Sequence, residues 1–342
     1  MTTVRVGVNG FGTIGKRVAA AVAKQPDMTL VGVAKTRPSF EAREALRSGY
    51  RLYVTGTGDP AEFERVGLRT SGRIEEMLHD VDVVIDAAPD RVGQENAHLY
   101  EKAGVRAIFQ GGEKSDVAEV SFNALANFAA AKGHRTVRVV SCNTTGLARA
   151  ASVLATRWDV DHWEATIVRR AADPAETKRG PLNGIIPTLQ IPSHHGHDVN
   201  TILPSLHITT TAVVVPTTLM HVHVNNVRFR SGPKDASELV DALRRTPRFH
   251  VFARWEGVQG TPQVMEFARD RGLGRSDMME NVLWEEGVRL DGRTATFFQA
   301  IHQESVVIPE VVDAVRAMFD LAPDAARSIA MTDRALGIPS PA

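Results

Sequence analysis

The stretch that decides the fold stands at the start of the chain: Val4-Arg-Val-Gly-Val-Asn9, followed at once by Gly10-Phe-Gly12-Thr-Ile-Gly15. The first six residues read as a short buried strand. Residues 14–23 then carry Ile14, Val18, Ala21 and Val22 on one side of a helical spacing. A GxGxxG run by itself is a weak signal, but between a strand and a helix each glycine has a task. Gly10 permits the tight turn, Gly12 lets the backbone approach a pyrophosphate, and Gly15 allows close helix–strand packing. Amide groups at the start of the helix then receive the phosphates. The stretch predicts a dinucleotide-binding βαβ unit.

Working outward, residues 28–34, 81–87, 107–109 and 137–141 read as further strands, with helical segments at 94–103 and 123–132. Strands alternating with helices imply a parallel, Rossmann-type sheet. After Cys142 the pattern changes. A helix is expected over 147–157, and strands over 163–169, 210–215, 221–227 and 294–301. Residues 170–204 form a long Pro/Gly/His-containing stretch without periodicity, which reads as a functional loop. A helix over 309–319 follows, with proline at its start. The expectation is an α/β protein: a parallel-sheet nucleotide-binding domain over 1–141, and an α+β catalytic domain over 142–302 with a mostly antiparallel sheet.

A length of 342 residues agrees with two domains. Lys+Arg and Asp+Glu balance at 40 each, so charge gives no argument for a nucleic-acid or membrane-surface partner. A single cysteine excludes an intrachain disulfide and fits a reducing compartment. The N-terminus shows no apolar signal region, and no apolar run approaches the roughly 20 residues of a bilayer span. A cytoplasmic protein is expected.

The end of the second strand bears on the cofactor. An NAD site usually has Asp or Glu there for the ribose hydroxyls. Here the residues are Ala34-Lys35-Thr36-Arg37-Pro38, and no acid occurs until Glu41. Lys35, Thr36 and Arg37 could hold a 2′-phosphate with no carboxylate to repel it. NADP is expected to be accepted as well as NAD.

Cys142 lies in Ser141-Cys-Asn-Thr-Thr-Gly146, after a strand and before a helix. Peptide dipoles at a helix N-terminus favour the thiolate, so partial activation is expected. Asn143, Thr144 and nearby amides could hold a carbonyl oxygen or a phosphate. A thiol nucleophile needs a base, and histidine is the usual choice. Two clusters compete, His194-His195-Gly196-His197 and His221-Val222-His223, the latter with both rings on one face of a strand. HxH and HHxH spacings can also contribute zinc ligands. No HExxH or paired-cysteine spacing accompanies them, and a nucleophile explains the only cysteine better, so no metal is expected. Arg169 and Arg170 suit a phosphate, although adjacent strand residues point to opposite faces.

The segments VNGFGTIGKRVA, KTRP, FQGGEK, SCNTTGL, VRRAADP, PSHHGHD, PTTLMHVHV and HQES together resemble the archaeal-type phosphorylating glyceraldehyde-3-phosphate dehydrogenases. The likeness runs along most of the chain. It implies that Cys142 is the nucleophile and His221 the general base. It implies substrate contacts at Ser141, Asn143, Thr144, His195 and Gly196; Arg170, from the reading of the arginine pair above, is expected beside them for a phosphate. Cofactor contacts are implied at Thr13, Ile14, Gly111, Arg169 and Gln303, joining Gly10, Gly12, Gly15, Lys35 and Thr36. The implied reaction oxidises glyceraldehyde 3-phosphate with NAD or NADP and inorganic phosphate. The family is usually a homotetramer whose C-terminal region, here 303–342, returns to the nucleotide domain. Ala148 departs from several relatives, which have a second cysteine there. The rival readings are another Rossmann-fold semialdehyde dehydrogenase and a non-catalytic dinucleotide sensor.

Overall fold

In the computed structural model, residues 3–89, 91–110, 112–172, 180 and 183–341 are described. The chain forms two compact units. The first comprises Met1–Ser141 with Val307–Gly337, and the second Cys142–Val306 with Ile338–Ala342.

Among the described residues the first unit carries seven strands: β1 (Val4–Asn9), β2 (Met28–Lys35), β3 (Leu52–Val54), β4 (Val83–Asp86), β5 (Arg106–Gln110), β6 (Val120–Phe122) and β7 (Thr136–Val139). They form one sheet in the order β3-β2-β1-β4-β5-β7-β6, and every pairing is parallel. In parallel sheets both faces are covered by helices, which explains why Val6, Val8, Val33, Val83, Val84 and Ile85 are all fully buried. The strand order reverses at β1 and β4, and ligands of such sheets lie outside the carboxyl ends of the strands at that point. The glycine turn follows β1 there.

Gly10 has φ +95, and a Cβ added to it would stand 2.7 Å from the Ala87 carbonyl oxygen. A Cβ on Gly15 would fall 1.7 Å from the Gly10 carbonyl oxygen, so no side chain fits at the opening of helix Gly15–Val22. The C-terminal helices Ile308–Met318 and Ala325–Leu336 belong to the same unit. Polar ties fix them. The fully buried Arg316 guanidinium meets both Asp27 carboxylate oxygens at 2.8 Å, and Asp313 accepts from Ser328 and Thr332 at 2.6 Å each.

The second unit carries β8 (Asp159–Arg170), β9 (Ile186–Pro187), β10 (Ile208–Val215), β11 (His221–Ser231), β12 (Phe249–Phe252), β13 (Asn281–Asp291) and β14 (Thr294–Ile301). Their order is β12-β13-β14-β11-β8-β10-β9. Among the described residues only β12–β13 and β8–β10 are parallel, so the sheet is mixed and mostly antiparallel. Along β11 the side chains alternate, and His221, His223, Asn225, Val227 and Phe229 all fall on its buried face.

Three local expectations need correction. The helix after the cysteine does not wait until residue 147 but spans Cys142–Arg157. The span 123–132 is not one helix: it breaks into Ala124–Asn127 and a 3-10 turn at Phe128–Ala131, where Asn127 leaves helical geometry and its side chain bonds back to Asn123 and Ser121. The long stretch 170–204 is not wholly loop, since it contains β9 and the helix His194–Asn200.

Candidate active site

Cys142 opens both the second unit and its longest helix. The residue is half-buried. Loss of hydration pushes its thiol up to about 11, against the pull of the Arg170 charge, the Asn143 backbone N–H and the Arg169 charge. The expected activation by the helix terminus is therefore outweighed in the resting protein, because burial penalises the anion more than these groups reward it.

Asn143, the next residue, connects Cys142 to both histidine clusters. His223 Nε2 lies 2.9 Å from Asn143 Oδ1, and Asn143 Nδ2 lies a long 3.5 Å from His195 Nε2. These bonds belong to a longer chain of buried groups. Arg149 Nη1 reaches Asn281 Oδ1 at 3.4 Å, and Asn281 Nδ2 donates to Gln299 Oε1 at 3.2 Å. Gln299 Nε2 meets His223 Nδ1 at 2.9 Å. Beyond Asn143, His195 Nδ1 lies 3.1 Å from Ser193 Oγ, which lies 2.8 Å from Thr210 Oγ1. Thr210 donates to the Ser193 carbonyl at 3.0 Å and accepts from the Gly196 N–H at 2.9 Å.

Arg149 and the Gly196 amide can only donate, and the Ser193 carbonyl can only accept. One direction of protons then satisfies every link. His223 has its hydrogen on Nε2, and His195 has its hydrogen on Nδ1. Both ring nitrogens of each are engaged.

His221 is held differently. The Arg170 backbone N–H donates to His221 Nδ1 at 2.9 Å, so the neutral ring carries its hydrogen on Nε2. Among the described residues that Nε2 makes no hydrogen bond. Burial lowers the pKa of all three histidines: His221 well below the ordinary range, with Arg170 and His223 adding to the effect, His223 to about 3, and His195 to about 2 with help from His194 and Arg169. At neutral pH the three rings are uncharged. The choice between His221 and His223 that the sequence left open is thereby narrowed, since only His221 has a ring nitrogen left for a ligand.

The two arginines separate as strand geometry requires. Arg170 is buried and its guanidinium meets Glu304 at 3.1 Å and the Ala172 carbonyl. Glu304 in turn meets His302 Nε2 at 2.7 Å. Arg169 is half-buried, and its Nε, shielded from solvent, has no hydrogen-bond partner among the described residues. Thr144 is fully buried in the helix, and Gln303 is half-buried just past β14. Gly111 lies outside the described residues. Among the described residues, no group of three or more His, Cys, Asp or Glu side chains could hold a metal, and no helix is long and apolar enough to cross a membrane.

In the first unit the glycine turn fits a dinucleotide. A Cβ on Gly12 would meet nothing within 4 Å, so the backbone there faces open space, while Thr13 and Ile14 lead into the helix half-buried. At the end of β2, Lys35 is not unopposed as expected. Its ammonium lies 3.7 Å from the Glu41 carboxylate.

Sequence reading missed Arg149, Ser193, Thr210, Asn281, Gln299 and Glu304. The available signal was a polar residue inside an otherwise apolar stretch, as in Phe297-Phe298-Gln299-Ala300-Ile301.

A parallel sheet with a glycine turn at its reversal point, and a unit in which Cys142 stands next to an asparagine whose side chain meets two neutral histidines, define the class: a dinucleotide-dependent oxidoreductase. The comparisons narrow it. The family description "Glyceraldehyde 3-phosphate dehydrogenase, C-terminal domain" matches residues 141–284, and "Dihydrodipicolinate reductase, N-terminus" matches residues 4–129. The chain is 51% identical over 340 residues to the glyceraldehyde-3-phosphate dehydrogenase of Archaeoglobus fulgidus, covering 99% of each chain. It is 51% identical to that of Halobacterium salinarum, covering 98% of this chain and 100% of the relative. It is 48% identical to that of Pyrococcus furiosus, covering 98% and 99%. The chain belongs to the glyceraldehyde-3-phosphate dehydrogenase family, whose cofactor is a nicotinamide dinucleotide.

Proposed function

We propose that this chain catalyses the phosphorylating oxidation of glyceraldehyde 3-phosphate to 1,3-bisphosphoglycerate, with either NAD or NADP. The observation that carries the reading is the meeting, through Asn143, of the Cys142 helix start with buried neutral histidines, beside Arg169. The first unit serves as the dinucleotide-binding domain and the second as the catalytic domain.

Gly10, Gly12, Thr13, Ile14 and Gly15 would cradle the pyrophosphate, Lys35 and Thr36 would face the adenosine ribose, and Gly111, Arg169 and Gln303 complete the cofactor positions. When bound, the nicotinamide supplies a hydride acceptor. Cys142 sulfur adds to the aldehyde carbon as its thiol proton passes to the carbonyl oxygen, and a thiohemiacetal forms. Loss of hydride from that carbon, with the hydroxyl proton passing to His221, leaves a thioester on Cys142. Inorganic phosphate then attacks the thioester carbon, the C–S bond breaks, and the thiolate returns.

Asn143 and the helix-start amides stabilise the developing oxyanion, and Ser141, Thr144, His195 and Gly196 line the substrate. Arg170 is the arginine on the substrate side, held by Glu304 and donating its backbone N–H to His221, while Arg169, whose shielded Nε has no hydrogen-bond partner among the described residues, is left to the cofactor. His221 is the residue that handles the proton. Its resting tautomer presents Nε2–H, which suits it to receive the carbonyl oxygen, and service as a base requires the Arg170 amide bond to open. By family likeness the protein works as a cytoplasmic homotetramer in glycolysis or gluconeogenesis.

The test is reduction of NAD and of NADP by glyceraldehyde 3-phosphate, with and without phosphate. Strong dependence on phosphate is expected. Equal turnover without phosphate would mean hydrolysis and overturn the acyl-phosphate product. Turnover with aspartyl or glutamyl semialdehyde alone would favour the related semialdehyde dehydrogenases.

A further inference from the structure

In the sequence Glu41 is the first acid after β2. The fold brings it back. The chain turns after Lys35, Ser39 caps the helix Phe40–Arg47 by accepting from the Ala42 N–H, and Glu41 falls in that helix's first turn. Its carboxylate accepts from the Ser39 hydroxyl at 2.5 Å and lies 3.7 Å from Lys35 Nζ. Both side chains of the ion pair are only about one-fifth exposed, at 18% for Lys35 and 20% for Glu41. Desolvation disfavours the carboxylate. The Ser39 hydroxyl, its own backbone N–H, Lys35 and Lys16 outweigh that and lower its pKa, so it is ionised at neutral pH. Lys16 stands in the first turn of the helix that follows the glycine loop. The carboxylate thus sits within electrostatic reach of both the phosphate-binding turn and the end of β2.

That is the neighbourhood in which dinucleotide folds choose between a ribose hydroxyl and a 2′-phosphate. A carboxylate there accepts from a hydroxyl and repels a dianion. We propose that Glu41 is a specificity-determining residue: it favours the unphosphorylated ribose of NAD and holds down the affinity for NADP by keeping Lys35 paired. Lys35 recognises the 2′-phosphate only by exchanging Glu41 for it. Cofactor choice in this chain is a competition between two anions for one ammonium group. The inference rests on the reading of the first unit as a dinucleotide-binding domain.

The test is direct titration of NADH and NADPH fluorescence against the purified protein, its Glu41→Gln variant and its Ser39→Ala variant, with thermal melts of each as a fold check. Removing one screened charge a few ångströms from a phosphate shifts binding by about fivefold to tenfold. Glu41→Gln is expected to tighten NADPH by about that factor and to weaken NADH, with the difference shrinking at high salt. Ser39→Ala, which removes the hydroxyl clamp on Glu41 together with the helix cap, shifts the ratio in the same direction by less, and its thermal melt reports the loss of the cap. Lys35→Gln shifts it the other way. An unchanged NADPH/NADH ratio in Glu41→Gln and Ser39→Ala, or equal weakening of both nucleotides, overturns the role of Glu41 and leaves the domain reading standing. Failure of the unaltered protein to bind either nucleotide overturns both.

Discussion

His223 donates from Nε2 to Oδ1 of Asn143 across 2.9 Å, and this bond fixes which way the residue after the cysteine turns its amide. With its oxygen occupied, Asn143 presents N–H groups on the other side, as a carbonyl oxygen gaining negative charge requires. His223 is held in turn by Gln299, so a residue three steps from the thiol sets the orientation of its neighbour.

Replacing Gln299 with leucine removes the donor to His223 Nδ1 and the acceptor for Asn281. Groups left unsatisfied in a buried site cost about 1–3 kcal/mol each, so the melting temperature falls. If the chain orients Asn143, kcat also falls by about tenfold or more with little change in KM. Steady-state kinetics beside thermal melts check this. A lower melting temperature with unchanged kcat would reduce the chain to packing.

The pH–rate profile distinguishes the two services of His221. Because burial holds its pKa well below the ordinary histidine range, kcat/KM is expected to show no acid limb near pH 6.5. His221→Asn should lower kcat by about a hundredfold or more. An acid limb near pH 6.5 that vanishes in His221→Asn would instead show the ring titrating as a base in the working protein.

Alkylation of the unliganded protein reports on Cys142. With the thiol pushed up to about 11, the rate of reaction with iodoacetamide should rise through pH 9 and 10 without a plateau near the ordinary value of about 8.5. The corresponding stability has the same sign. A raised acid favours its protonated form in the fold, so its contribution is complete below the unfolded value and is lost as pH rises toward about 11. A plateau near pH 8 would mean that the thiolate is already stabilised at rest.

Acid stability should be governed by the three neutral histidines. Their folded pKa values lie below the unfolded value, so the contribution is complete above about pH 6.5 and is lost as pH falls toward the folded values. Each ring can remove up to about 1.4 kcal/mol per pH unit below that point. Urea midpoints measured between pH 7 and pH 4 should drop steeply, and His223→Asn should flatten the slope. An equal slope in that variant would show that His223 does not carry its share.

The parallel sheet was legible because β1, β2, β4, β5 and β7 are apolar runs bounded by turn signals, and the glycine turn sits between a strand and a helix. β3 and β6 were not, since three residues give no period. The helix His194–Asn200 was hidden for another reason. His194-His195-Gly196-His197-Asp198-Val199-Asn200 has almost no apolar stripe, and contacts from Ser193 and Thr210 support it across 14 to 17 residues of sequence. Cys142, Asn143, His195 and His221 were legible as members of motifs. Gln299, Asn281 and Arg149 were not, because their roles come from partners on other elements. Glu41 was seen and set aside on spacing alone. A tight turn and a serine cap bring it back to Lys35.

The pairing of Arg316 with Asp27 has a consequence for biosynthesis. The two residues are 289 positions apart, and the entire stretch Cys142–Val306 lies between them. During translation the stretch Cys142–Val306 is made before the partner of Asp27, so the first sheet must wait, its helical cover unfinished, until the stretch carrying Arg316 leaves the ribosome. A stop before Arg316 would strand a carboxylate and open the sheet's apolar flank to water. Such a product is expected to be cleared or to aggregate, even though the segment carrying the thiol is fully synthesised.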